Sequence, residues 1–215
     1  VGSSTQAWTA AELSMLGFEQ ASQWAAVVGP VTLASSPLHS QGSASLSLSG
    51  LEYAQVRNVL PLSKDTSPTP EVVSFDIRVP SVTPNIHWRG AVELYIDAPS
   101  VGVWGQYLGY RSLQDVPKDV FTKLEFAVPN AIQTKLQGNY TDLKFTIALN
   151  VPAGSQAHLL DRFVIGPDVL PPVCVPVNDN NPCTADDCDT VTNQPIHTPL
   201  APGALCSDGN ACNGN

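Results

Sequence analysis

The residue types with the most chemistry in this chain crowd toward its end. Cys183-Thr184-Ala185-Asp186-Asp187-Cys188-Asp189 is followed by His197-Thr198-Pro199 and then by Cys206-Ser207-Asp208-Gly209-Asn210-Ala211-Cys212. With Cys174 these make five cysteines, against none in the body before position 174. Such thiols can hold zinc or cross-link. The four- and five-residue gaps, the many Asp and Asn, and the proline-rich approach favour disulfides over a zinc centre. Disulfides order small extracellular modules that lack a core, at roughly 2 to 4 kcal/mol each, so the chain is expected to be secreted or displayed at a cell surface. Five is an odd number, and at least one thiol has no internal partner. Cys212 or Cys174 is therefore expected to pair with residues beyond the sequence given, in a longer array or stalk. Asp179, Asn180, Asp186, Asp187, Asp189, Asp208 and Asn210 read first as solvated loop groups, with weak calcium binding as the alternative.

Catalytic patterns are thin. The four histidines are scattered, and no G-x-S-x-G, H-E-x-x-H or C-x-x-C occurs. Glu93 and Asp97 could share a strand face, and glycoside hydrolysis uses two carboxylates, but a solvated face is the plainer reading. The chain is expected not to be an enzyme. Asn139-Tyr140-Thr141 is an N-glycosylation sequon, relevant only in a eukaryotic secretory route.

The elements that must position any site are legible in period-two alternation, which sends every second side chain to one face of a strand. Ala44, Leu46 and Leu48 alternate with serines. Val73, Phe75, Ile77 and Val79 alternate with Ser74, Asp76 and Arg78; Val92, Leu94 and Ile96 alternate with Glu93, Tyr95 and Asp97. Leu124, Phe126 and Val128, and Leu143, Phe145, Ile147 and Leu149, continue the pattern. Strands with one wet face belong to antiparallel sheets. Nineteen prolines fall between these runs as punctuation, which a helical protein would not tolerate. The expected fold is an all-β jelly-roll sandwich with one or two short helices and a small irregular tail. One helix is predicted after Pro129, capped by Asn130, with Gln133 at the capping-box position, Ile132 and Leu136 on one face, and Gly138 at its end. A second is predicted over Thr9 to Leu16. The organisation expected is a leader at 1–15, the sandwich at 16–166, a proline-rich linker at 167–177 and a cysteine-rich repeat at 178–215.

Charge narrows the partners. Net charge is −9, and from Asp168 onward there are six acids and no Lys or Arg. A chain without a basic stripe repels phosphate backbones, so nucleic acid is not expected as a partner. No run approaches the roughly 20 apolar residues of a membrane-spanning helix, so membrane insertion is not expected. Alternation also sets Asp161 among Leu159, Phe163 and Ile165, where a carboxylate requires a partner. Arg162, Arg57, or water at a sheet edge would serve.

Gly17-Phe18-Glu19, Trp24 and Ser40-Gln41-Gly42-Ser43-Ala44-Ser45-Leu46 resemble the opening of jelly-roll carbohydrate-binding modules with the galactose-binding-like fold. Tyr107-Leu108-Gly109, Leu113, the run Phe121 to Pro129, Asp142 to Asn150, and Leu159-Leu160-Asp161-Arg162-Phe163 are similar to the second half of such modules in large secreted bacterial proteins. The resemblance covers about Leu16 to Gly166. It implies a polysaccharide or surface glycan as ligand, and a structural calcium ion held by Glu19, Asp161 and backbone carbonyls around Gln41 and Ser43. The tail resembles the cysteine-rich repeats of extracellular matrix and cell-surface proteins, departing from them at Pro195, where a cysteine would be expected.

A pyranose stacks its C–H face on a flat aromatic ring flanked by hydrogen-bonding groups. The candidates are Trp88 with His87 and Arg89, the run Trp104-Gly105-Gln106-Tyr107, and Tyr95 on the polar face with Glu93 and Asp97. Tyr53 and Tyr110 stand in reserve; Trp24 reads as core, and Trp8 is assigned nothing. The expectation is a non-catalytic, secreted carbohydrate-binding module on a cysteine-rich stalk. The alternative is a structural or adhesive surface module that packs against other extracellular domains and binds no small molecule.

Overall fold

Leu46, Leu48, Val73, Phe75, Ile77, Val92, Leu94, Ile96, Phe145 and Ile147 are all buried, as the alternation of their strands requires, and the residues between them line the outer faces. In the computed structural model, which describes residues 16–50, 52–64, 69–166, 177–188 and 195–200, these strands build two five-stranded antiparallel sheets. The strands are β1 (Trp24–Val28), β2 (Thr32–Ser36), β3 (Ser45–Ser49), β4 (Tyr53–Asn58), β5 (Val72–Arg78), β6 (Ala91–Ala98), β7 (Val103–Ser112), β8 (Phe121–Ala127), β9 (Lys144–Asn150) and β10 (His158–Ile165). One sheet has the order β1-β4-β9-β6-β7 and the other β2-β3-β10-β5-β8. The chain changes sheet repeatedly, as a jelly roll does.

Phe163 of β10 ties the two layers together. Its ring centroid lies 5.1 Å from that of Phe145 on β9, 6.0 Å from Phe75 on β5, 5.7 Å from Trp24 and 6.1 Å from Phe18. Phe18 and Trp24 stack at 4.8 Å, so the opening motif is part of the core.

The strand carrying Phe163 departs from simple alternation. Leu160, Phe163 and Ile165 are the inward residues, because pairing with β5 shifts register between Asp161 and Val164 and Arg162 takes φ +52°. This bulge puts two residues where one would fit and changes the strand's phase. Asp161 therefore does not share a face with Phe163 and Ile165, contrary to the expectation from the sequence.

The helix after Pro129 is present as α1 (Asn130–Lys135), with Ile132 and Leu136 buried beneath it. Its cap is Pro129 rather than Asn130: the Pro129 carbonyl accepts from Ile132 and Gln133, and Gln133 Nε2 donates to the Val128 carbonyl. Of the proposed helix over Thr9 to Leu16, all but Leu16 lies outside the described residues. No helix among the described residues is long and apolar enough to cross a membrane.

The chain divides into two units at Asp168. The second contains an antiparallel hairpin of β11 (Thr184–Cys188) and β12 (Pro195–Pro199), extended by a bond from the Leu200 amide to the Cys183 carbonyl. Cys183 is disulfide-bonded. Cys174, Cys206 and Cys212 lie outside the described residues.

Candidate functional site

The outer face of the β1-β4-β9-β6-β7 sheet gathers most of the polar and aromatic chemistry of the sandwich. Register sets Arg57, Thr146, Tyr95 and Tyr107 in one row across β4, β9, β6 and β7, and Gln55, Ala148, Glu93 and Tyr110 in the next. Small residues fall in the middle of these rows and large ones at their sides. Ala148 points away from the core yet is only 1% exposed, so its taller neighbours close over β9.

The walls are ordered by their own bonds. Arg57 donates from Nε to Thr146 Oγ1 at 2.8 Å and pairs through Nη2 with Asp97 Oδ2 at 3.1 Å, while Asp97 Oδ1 accepts the Gly105 amide. Tyr95 donates its hydroxyl to Glu93 Oε2 at 2.6 Å, and that bond, with burial second, raises its pKa well above the phenol range. Tyr95 and Tyr107 stand 5.5 Å apart with rings tilted by 55°. Gln55 Nε2 donates to the Tyr53 hydroxyl at 2.7 Å. Tyrosine rings amid fixed carboxylate, guanidinium and amide groups can take a polyol by stacking and hydrogen bonding.

This arrangement is poorly suited to hydrolysis. Glu93 and Asp97 are four residues apart on one strand, which separates their Cα atoms by about 13 Å. Their carboxyl groups would have to lean toward each other to reach the roughly 5 to 9.5 Å separation of glycosidase carboxylates. Both are also committed, one to Tyr95 and the other to Arg57.

The residues nominated from the sequence are not all brought together. Tyr95 and Tyr107 meet on the sheet face, and Trp104 stands 66% exposed at the same end of β6, beyond a bulge. Gln106 pairs with the core residue Ile96, so it lies off that face, and its Nε2 donates to the Trp104 carbonyl. Trp88 and Arg89 precede the other end of β6, roughly 25 Å away along the strand. There Arg89 is fixed by Gln114 and the Val116 carbonyl, and the Trp88 amide by Asn85. Arg57, Gln55 and Thr146 were not nominated for the face, because only the β4-β9-β6 order brings them beside Tyr95.

A second constellation surrounds the loop between β2 and β3. Glu19 Oε2 accepts the Ser43 amide at 2.9 Å, the Ser43 hydroxyl at 2.8 Å and the Ala44 amide at 3.1 Å. Asp161 Oδ2 accepts the Ser40 amide, the Ser40 hydroxyl at 3.0 Å and the Gln41 amide at 3.0 Å, and its Oδ1 accepts the Arg162 amide at 2.8 Å. Asp161 is 0% exposed and is the cross-strand partner of Asp76, itself 6% exposed. The Ser40 hydroxyl reaches both carboxylates, at 2.7 Å from Asp76. Of the partners considered for Asp161, Arg162 contributes its amide, and Arg57 pairs with Asp97.

Two acids thus grip one short loop from either side. The loop meets them with N–H and O–H donors rather than the carbonyls implied by the resemblance. Glu19 Oε1 rests against Gly42, where a Cβ would come within 1.7 Å of it. The missing side chain makes room for the Glu19 carboxylate against the loop, where both acids are already engaged by N–H and O–H donors.

No family model and no curated protein matches the chain. Among solved structures, it is similar to a carbohydrate-binding module of the β-sandwich superfamily described as promiscuous in specificity, at 13% identity and TM-score 0.47, over 67% of this chain and 57% of that one. It is also similar to the C-terminal family 22 carbohydrate-binding module of Clostridium thermocellum Xyn10B, at 13% identity and TM-score 0.43, over 69% and 89% of the two chains. A third is the mannan-recognising module TmCBM27, at 11% identity and TM-score 0.44, over 69% and 92%. The chain spans little more than half of the first of these, and the likeness is one of strand arrangement alone.

Proposed function

We propose that the protein is a non-catalytic, secreted carbohydrate-binding module whose glycan lies across the outer face of the β1-β4-β9-β6-β7 sheet. The observation that carries this reading is the row Arg57, Thr146, Tyr95 and Tyr107 beside the row Gln55, Ala148, Glu93 and Tyr110: aromatic rings and fixed polar groups around a small-residue floor. Tyr95 and Tyr107 would stack on sugar rings, with Trp104 extending the platform. Arg57, Glu93 and Gln55 would hydrogen-bond hydroxyls. Trp88 and Arg89 would form a separate contact at the far end of β6, and Gln106 would support Trp104 rather than touch ligand.

In the same reading a calcium ion would be held by Glu19 and Asp161 with backbone oxygens near Gln41 and Ser43, which would have to turn toward it in place of the N–H donors that the loop presents to the two acids. It would supply positive charge between two carboxylates and fix the loop, taking no part in glycan binding. Residues 16–166 would be the binding module, 167–177 a linker and 178–215 a disulfide-linked stalk made with Cys174, Cys183, Cys188, Cys206 and Cys212.

Affinity electrophoresis against soluble polysaccharides tests the ligand. Retention should fall at least tenfold in Tyr95→Ala and Tyr107→Ala, and by less in Trp88→Ala. Melting with a calcium-selective chelator tests the ion, since a ligand bound only to the folded state raises the midpoint by mass action. An unchanged midpoint on chelation and on calcium add-back removes calcium from the account.

One observation favours a structural or adhesive module with no small ligand. The polar groups of the face are already bonded to one another, Tyr95 to Glu93, Arg57 to Asp97 and Gln55 to Tyr53, as on a solvated sheet. Absence of retention on every polysaccharide would select that reading.

A further inference from the structure

The hairpin of the second unit carries a cluster used by neither the sheet face nor the Glu19–Asp161 loop. Asp186 on β11 stands directly opposite His197 on β12, and the turn entering β11 brings Asp179 to the same place. His197 Nδ1 lies 2.7 Å from Asp186 Oδ1 and 3.7 Å from Asp179 Oδ2. One ligand atom from each residue falls within 4.8 Å of the other two.

Asp179 is held in place by its own turn. Its Oδ1 accepts the Asn181 amide at 2.8 Å and the Thr184 hydroxyl at 3.0 Å.

Local charge is unbalanced. No Lys or Arg follows Asp168 in the sequence, so His197 is the one member of the cluster able to carry a positive charge against two carboxylates. Even as imidazolium it leaves the cluster net negative.

The ligand types select among cations. Calcium takes six to eight oxygens, whereas an imidazole nitrogen beside carboxylate oxygens suits a borderline ion. In a tetrahedral zinc site with bonds of roughly 2.0 to 2.1 Å, neighbouring ligand atoms lie about 3.3 Å apart. The observed separations of 2.7 Å, now a His197–Asp186 hydrogen bond, and 3.7 Å bracket that spacing, and the ion would take the place of the proton shared by His197 and Asp186. Cys183 is disulfide-bonded and offers no thiolate to compete.

We propose that Asp179, Asp186 and His197 form a three-ligand site for one divalent ion of the zinc class, with water at the remaining position. The ion ties the turn before β11 to β12. Every residue of β12 is exposed, so the hairpin has little apolar packing of its own, and a metal cross-link is a direct source of order for such a unit.

The test titrates the untagged full chain with cobalt(II) as a spectroscopic probe and zinc as competitor. One ion per chain should bind with a weak ligand-field spectrum, and zinc should slow amide exchange in the hairpin. His197→Ala and Asp186→Asn should each weaken zinc at least tenfold while the sandwich melts unchanged. Asp187→Asn, on the opposite side of β11, and Glu19→Gln, in the other unit, should leave zinc affinity unaltered. Equal zinc affinity in His197→Ala and the parent chain overturns the proposal. So does an intense thiolate-to-cobalt band, or calcium binding as tightly as zinc at this hairpin.

Discussion

His158 is a fully buried imidazole at the start of β10, register partner of the core residue Leu48, and neither ring nitrogen has a hydrogen-bond partner among the described residues. Burial drives its pKa from 6.5 down to about 4, with the Gln156 backbone, short of hydrogen-bond geometry, offsetting a small part. Between those values the unfolded chain binds a proton that the folded chain refuses, so stability is full above pH 6.5 and falls as the pH drops toward 4. At about 1.4 kcal/mol per pH unit, the loss reaches roughly 3 kcal/mol. Urea unfolding at pH 7.5 and 4.5 should show this drop, and His158→Leu should flatten it; an equal drop in both proteins would assign the acid sensitivity to other groups. Gly42 poses a steric test at the same scale. With φ +71° and a Cβ that would land 1.7 Å from Glu19 Oε1, Gly42→Ala must expel Glu19 from its bonds to Ser43 and Ala44. The expected cost is above about 1 kcal/mol, read as a lowered unfolding midpoint.

At the scale of elements, β10 decides how well the layers hold. Phe163 touches rings from both sheets, so Phe163→Ala should cost about 3 to 5 kcal/mol in chemical denaturation. Trp104→Ala, at an exposed position, should stay within about 0.5 kcal/mol. The inward face of β5, β6 and β9 was legible because those strands keep strict alternation. The inward face of β10 was not, because Arg162 sits at φ +52° in a bulge and nothing local in Leu-Leu-Asp-Arg-Phe announces one. For the site, alternation sufficed to put Tyr95 on a wet face with Glu93 and Asp97. It could not supply Arg57 and Thr146, whose place near Tyr95 depends on β9 lying between β4 and β6 despite long sequence separation. Nor could it show that Trp88 and Trp104 fall at opposite ends of one strand, since that requires knowing where β6 begins and ends. The Asp186–His197 pair was hidden for the same reason: it exists through hairpin register.

At the scale of the whole molecule, charge constrains what the sheet face can hold. The chain carries −9 formally, and all ten basic residues precede Asp168. On the face itself Arg57 is already paired with Asp97, leaving the Glu93 carboxylate bonded to a phenol that stays protonated. A uronate-rich chain would bring like charge to that carboxylate and approach through the field of an acidic protein, whereas a neutral polysaccharide would meet only stacking and hydrogen-bonding groups. If this sheet face binds glycan, native electrophoresis should therefore show retention by neutral polysaccharide and none by polyuronate at low salt. Because exposed charges are screened beyond about 10 Å at 0.1 M salt, raising ionic strength should change the neutral-glycan affinity by less than about twofold. Salt-sensitive retention, or a preference for the polyuronate, would place the contact on the basic residues elsewhere on the sandwich and away from Tyr95 and Tyr107.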